Sequence, residues 1–141
     1  MNTVITMRQS VYPALRYADA KAAIAWLTSV LEFKEHEVYP GEGDTIAHAQ
    51  LQIAGNLIML GSVKLGAPVQ SPKQLGSTTG SIYIAFDTAE DVETLYRRAS
   101  SAGADVVREI EDTDYGSREF GVRDPEGNLW SFGTYKPQAS R

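Results

Sequence analysis

His48, Arg118, Arg16 and a short acidic run at 111–114 are the groups in this chain whose types and surroundings suit chemistry. His48 stands in the alternating stretch Thr45–Ile53, where Ala47, Ala49, Leu51 and Ile53 share one face and His48, Gln50 and Gln52 share the other. An imidazole there can hydrogen-bond a ligand or act as a general base near neutral pH. The plainer alternative is a partly exposed polar side chain with no role. The second histidine, His36, sits inside Glu35-His36-Glu37 and reads as a solvated strand face. Arg118, in Tyr115-Gly116-Ser117-Arg118-Glu119-Phe120, carries a planar fork suited to a ligand carboxylate or carbonyl. Equally, it can brace its own hairpin by pairing with Glu119, Asp112 or Asp114. Arg16 alternates with Leu15 and Tyr17 and is a further candidate anion contact. Glu111, Asp112 and Asp114 are read as a solvated loop in preference to a cation site. Trp26 and Trp130 are expected to pack in the core.

Several chemistries are excluded outright. The chain has no cysteine, which removes disulfides, thiolate zinc sites and cysteine nucleophiles. It has no Gly-rich phosphate loop, nucleophile elbow or His-Glu-x-x-His helix. A net charge of −5 without a Lys/Arg cluster argues against nucleic acid and anionic membrane surfaces as partners. The stretch 1–10 is polar and lacks the apolar centre of a signal segment, and no run approaches membrane-spanning length. A cytoplasmic protein is the expectation. With 141 residues, 43% apolar and 22% charged, one domain spanning 1–141 with a real core is expected.

The elements that must position these groups follow from periodicity. Tyr12–Tyr17 reads as a strand, and Asp19 then caps a helix whose apolar face is Ala20, Ala23, Ile24, Leu27 and Leu31. Phe33–Tyr39 is a strand stopped by Pro40-Gly41-Glu42-Gly43. Thr45–Ile53 and Leu57–Gly61 form a hairpin around Ala54-Gly55-Asn56. The stretch 63–79, rich in Gly, Pro, Ser and Lys, reads as a connector without periodicity. Beyond it come the strand Ser81–Phe86, a helix capped by Thr88 and Asp91 as a capping box, and Gly103 at its C′ position. The helix face is Val92, Leu95, Ala99 and Ala102. Strands at Val106–Ile110, Phe120–Arg123 and Leu129–Tyr135 complete the chain, the last two joined through Asp124-Pro125-Glu126-Gly127.

The order strand, helix, three strands thus occurs twice. Gly55-Asn56-Leu57-Ile58-Met59-Leu60-Gly61 and Gly127-Asn128-Leu129-Trp130-Ser131-Phe132-Gly133 mark the same place in each copy, with an offset of 72 residues between Gly55 and Gly127. The fold class is α+β, with module one at about 11–62 and module two at about 80–136.

With both copies laid out, the chain resembles the vicinal oxygen chelate superfamily of glyoxalases, bleomycin-resistance proteins, fosfomycin-resistance proteins and extradiol dioxygenases. The resemblance is carried by Ala23-Ile24-Ala25-Trp26-Leu27 with Leu31-Glu32-Phe33, by Ser81-Ile82-Tyr83-Ile84, and by Tyr115-Gly116-Ser117-Arg118 followed by Asp124-Pro125-Glu126-Gly127-Asn128. It covers roughly residues 11–136 and implies paired βαβββ modules forming a curved mixed-sheet cup, commonly in a homodimer. It leaves open whether modules pair within one chain or exchange between two. The fold hosts many reactions, so it implies less about activity.

Metal-using members hold an ion with one side chain from the first and last strand of each module. Carried onto this chain, those places fall on Tyr12, Met59, Ser81 and Ser131. Hydroxyls and a thioether are poor donors for a hard or borderline divalent ion, which wants carboxylate or imidazole. Tyrosine would bind only as phenolate, with an ordinary pKa of about 10. No metal and no cofactor are therefore expected. The resemblance also implies that His48 and Tyr83 face the cup, where Tyr83 can stack on a planar ligand. The expected ligand-binding set is Tyr12, His48, Met59, Ser81, Tyr83, Arg118 and Ser131. The leading expectation is metal-independent binding of a small organic molecule, as in bleomycin-resistance proteins. The alternative is an enzyme, either a glyoxalase-like lyase or isomerase or a dioxygenase.

Overall fold

Each copy of the repeat folds into a four-stranded mixed sheet with one longer helix across its back. The computed structural model describes residues 9–138, so the polar lead expected over 1–10 lies outside the described residues as far as position 8. The first unit runs β1 (Ala14–Tyr17), α1 (Ala20–Val30), β2 (Lys34–Pro40), β3 (Ile46–Ile53) and β4 (Asn56–Ser62). A short helix α2 (Pro72–Leu75) follows. The second unit is β5 (Ser81–Ala85), α3 (Ala89–Ser101), β6 (Asp105–Asp112), β7 (Arg118–Arg123) and β8 (Leu129–Gly133). The sheet orders are β1-β4-β3-β2 and β5-β8-β7-β6. In each sheet the first strand is parallel to the last and the remaining pairs are antiparallel.

Local chemistry accounts for the element ends. The Asp19 carboxylate accepts from the Ala22 amide at 3.0 Å, and α1 buries Ala20, Ala23, Ile24, Leu27 and Val30. The Thr88 hydroxyl accepts from the Asp91 amide at 3.1 Å, with Glu90 and Asp91 suited to the positive end of the α3 dipole. The reciprocal half of the expected capping box is absent among the described residues, because aspartate is one methylene too short to reach back.

Strand β1 starts at Ala14 instead of Tyr12. Pro13 has no amide to donate, though its carbonyl accepts from Met59 at 2.9 Å. Strand β8 stops at Gly133 instead of Tyr135, since the amides of Thr134 and Tyr135 turn to the Ser117 hydroxyl at 3.1 and 3.0 Å. The connector contains α2, where Ser71 and Gln74 form a full capping box ahead of Pro72. A helix of one turn is too short to show a 3.6-residue period in sequence.

One continuous core draws on both modules. Phe33 meets Trp130 edge-on with ring centroids 5.3 Å apart, and Phe120 stacks on Phe132 at 5.0 Å. Trp130 is fully buried, whereas Trp26 packs against the core and remains partly exposed. The modules are joined by two buried carboxylates from the turn between β7 and β8. Asp124 accepts from the Tyr17 hydroxyl at 2.7 Å, from the Trp130 indole at 3.0 Å, and from the amides of Glu126 and Asn128 at 3.0 Å each. Glu126 accepts from the amides of Ala18 and Asp19 at 2.7 and 2.8 Å and from the Ser71 hydroxyl. Burial beside Asp124 raises the pKa of Tyr17, so its phenol stays protonated and donates. Within this chain, the turn of module two therefore rests on the β1–α1 corner of module one.

Candidate functional site

Side chains alternate across each sheet, so the face away from the helix is the one open to a ligand. In module two the apolar partners Ile84, Phe120, Val122, Trp130 and Phe132 go to the core. The opposite face receives Ser81, Tyr83, Glu119, Gly121 and Ser131. Ser81, Tyr83, Glu119 and Ser131, together with Arg108, Tyr115, Tyr135 and Pro137, line a bowl of about 610 Å³. Cavities of a few hundred Å³ suit small organic ligands.

Glu119 is the centre of the bowl and is only 3% exposed. Its Oε1 accepts from Arg108 Nη2 at 2.7 Å and from the Tyr115 hydroxyl at 2.8 Å. The Tyr83 hydroxyl lies 3.2 Å from Oε2 and 2.9 Å from the Tyr135 carbonyl, which share its one proton. Burial alone would push the Glu119 pKa up. The donors Tyr115, Ser117, Arg108 and Tyr83 outweigh it, and the pKa lies below the usual carboxylate range. Tyr83 is shifted up by burial and by Glu119, and Tyr115 by its bond to Glu119. Tyr115 and Tyr135 meet edge-on at 5.5 Å and wall one side.

This arrangement depends on a glycine. A Cβ on Gly133 would lie 2.5 Å from Glu119 Cγ and 2.6 Å from the Tyr83 hydroxyl. Gly133 is the repeat equivalent of Gly61, where a Cβ would lie 2.6 Å from Arg16 Nη1. The pairings Ala49↔Leu60 and Phe120↔Phe132 then make His48 and Glu119 equivalent, each on a middle strand beside its glycine.

The expected ligand set divides between the two modules. Ser81, Tyr83 and Ser131 come together in the bowl, with Tyr83 and Ser131 directly paired across β5 and β8. Met59 is half-buried on β4, and Tyr12 precedes β1 with its hydroxyl on the Gln9 carbonyl at 2.9 Å. His48 stacks on Tyr39 with ring centroids 6.0 Å apart and lies 3.1 Å from Gln50 Nε2. Arg118 points away from the bowl and pairs with Glu93 at 3.0 Å and Asp112 at 3.1 Å. Of the pairings weighed from sequence, it makes the one to Asp112. Arg108, Glu119, Tyr115 and Tyr135 join the bowl without belonging to the expected ligand set. Alternation with Phe120 and Val122 puts Glu119 on the Ser131 face, which is the signal that points to it.

The residues at the four carried-over metal places do not fit a divalent ion. Two hydroxyls, a thioether and a phenol already bonded to a backbone carbonyl supply neither charge nor imidazole nitrogen. Among the described residues no three His, Asp or Glu side chains gather as a cage, and Glu119 is occupied by its own donors.

The profile of the Glyoxalase/Bleomycin resistance protein/Dioxygenase superfamily matches residues 9–132. The chain belongs to this superfamily. A protein of Mycobacterium bovis is 33% identical over 132 residues, spanning 92% of this chain and 85% of its own length. The crystal structure of TioX from Micromonospora sp. ML1 superposes with a TM-score of 0.71 at 29% identity, covering 94% of this chain and all (100%) of that one. The Mn(II) and sulfate complex of the fosfomycin-resistance protein FosX from Listeria monocytogenes gives 0.64 at 15% identity over 93% and 95% of the two chains, a likeness of fold alone. These superfamily structures share the two four-stranded mixed sheets with helices found here.

Proposed function

We propose that this superfamily member binds a planar organic molecule in the bowl of module two without a metal ion, and that it sequesters its ligand instead of transforming it. The observation that carries the reading is the Glu119 network. A carboxylate held anionic by four neighbouring side chains is a weak base, and tyrosines shifted upward are weak acids. Tyrosine rings with satisfied hydroxyls make a rigid stacking surface. His48, the one other candidate base, belongs to the sheet of module one and does not line the bowl.

The reading includes a homodimer in the cytoplasm. Tyr39, His48, Gln50 and Met59 share one face of the module-one sheet, and a second copy is the partner whose module-two face closes against it. In the described residues, no helix is long and apolar enough to cross a membrane.

Calorimetric titration of the EDTA-treated protein with fused-ring aromatics tests the function. Saturable binding is expected, weakened about three- to tenfold by Tyr115→Ala through loss of an aromatic contact. Turnover of a carbonyl or epoxide substrate that vanishes with the chelator and returns with metal would replace the reading by the enzyme alternative.

A further inference from the structure

The bowl contains one charge a ligand can reach, and it is positive. Glu119 is 3% exposed and enclosed by Arg108, Tyr83 and Tyr115, so its charge is hidden from anything entering. The Arg108 side chain is 41% exposed. Of its five N–H donors, Nη2 bonds Glu119, while Nε is buried without a partner. With Nε buried, the donors left for a ligand are those of Nη1 and the second proton of Nη2, and guanidinium binds planar oxygen acids in a two-pronged geometry.

We propose that the ligand is an aromatic oxygen acid, a carboxylate or phenolate on a planar ring system, and that Arg108 selects it by meeting the anionic oxygen while the rings of Tyr83, Tyr115 and Tyr135 take the aromatic part. Glu119 is a positioning residue that pins the guanidinium at the rim of the bowl, and Gly133 is the seat that lets Glu119 lie across β8. The atoms a Gly133 side chain would strike belong to Glu119 and Tyr83, with no backbone among the nearest contacts. Gly133→Ala is therefore expected to displace the network while keeping the strand. Gly61 differs, since a Cβ there would also strike the Ala47 carbonyl at 2.9 Å.

This inference rests on the proposed ligand-binding function, and the test separates the two. The probes are 2-naphthoate and the uncharged 2-naphthamide, titrated calorimetrically in EDTA at low salt against wild type, Arg108→Gln, Arg108→Lys and Gly133→Ala. The expected result is at least tenfold tighter binding of the acid by wild type, with the preference falling as salt rises. Arg108→Gln is expected to abolish the preference by weakening the acid at least tenfold and the amide much less, and Arg108→Lys to restore part of it. Gly133→Ala is expected to reduce the preference with a thermal midpoint close to wild type. Equal affinity for both probes in wild type, or equal loss of both in Arg108→Gln, overturns the inference and leaves the function standing. Binding of neither probe overturns both.

Discussion

Glu119 and Asp124 are both buried carboxylates, yet they do different work. Asp124 is matched by four donors from its own turn, from β8 and from Tyr17, and it ties module two to module one. Glu119 is matched by residues that line the bowl. Because its folded pKa lies below that of an exposed glutamate, its contribution to stability is present above the unfolded value, about 4.3, and is lost as pH falls through the folded one. Glu119→Gln is therefore expected to flatten the acid limb of the stability curve. Urea unfolding from pH 6 down to pH 3 checks this, with wild type losing more stability than the variant over that window. The bridging role of Asp124 was not legible in sequence, for a physical reason. The partners of Asp124 and Glu126 stand 107 and 108 positions away, where no local pattern reaches.

At the scale of elements, the sequence showed nearly everything governed by local rules. Helix caps at Asp19 and Thr88, the alternation of β3 and the connector position all follow from neighbours within a few residues. The misplaced ends of β1 and β8 trace to Pro13 and Ser117, whose effects depend on a partner strand. The β3–β4 hairpin exposes a local conflict. Its two-residue loop, Ala54-Gly55, has φ of +49° and +77°, as a type I′ turn requires. Alanine resists that region, where asparagine is tolerated. Ala54→Asn is expected to stabilise the protein by about 0.5–1 kcal/mol, raising the thermal midpoint measured by calorimetry without altering ligand affinity, since the turn lies outside the bowl.

For the whole molecule, the repeat explains the architecture, and its two copies carry different side chains at equivalent places. Glycines at 61 and 133 occupy one structural place, and each lets a polar side chain lie across its strand: Arg16 in module one, Glu119 with Tyr83 in module two. The places that would grip an ion in metal-using relatives carry tyrosine, methionine and serine here. What remains is the bowl in module two and, in module one, the sheet face that carries Tyr39, His48, Gln50 and Met59. Two copies paired through these faces would have twice the 15.4 kDa mass of the chain. Light scattering on the eluting peak is expected to give that dimer mass, and a monomer at tens of micromolar would contradict the pairing.

The most direct test of metal-independent binding is a comparison of two titrations of 2-naphthoate, one with protein stripped by chelator and one with protein equilibrated with Mn²⁺ and Zn²⁺. Identical affinity and stoichiometry are predicted. Binding that requires the ion, together with one tightly held ion per chain that is lost on changing Ser81 or Ser131 to alanine, would contradict the account.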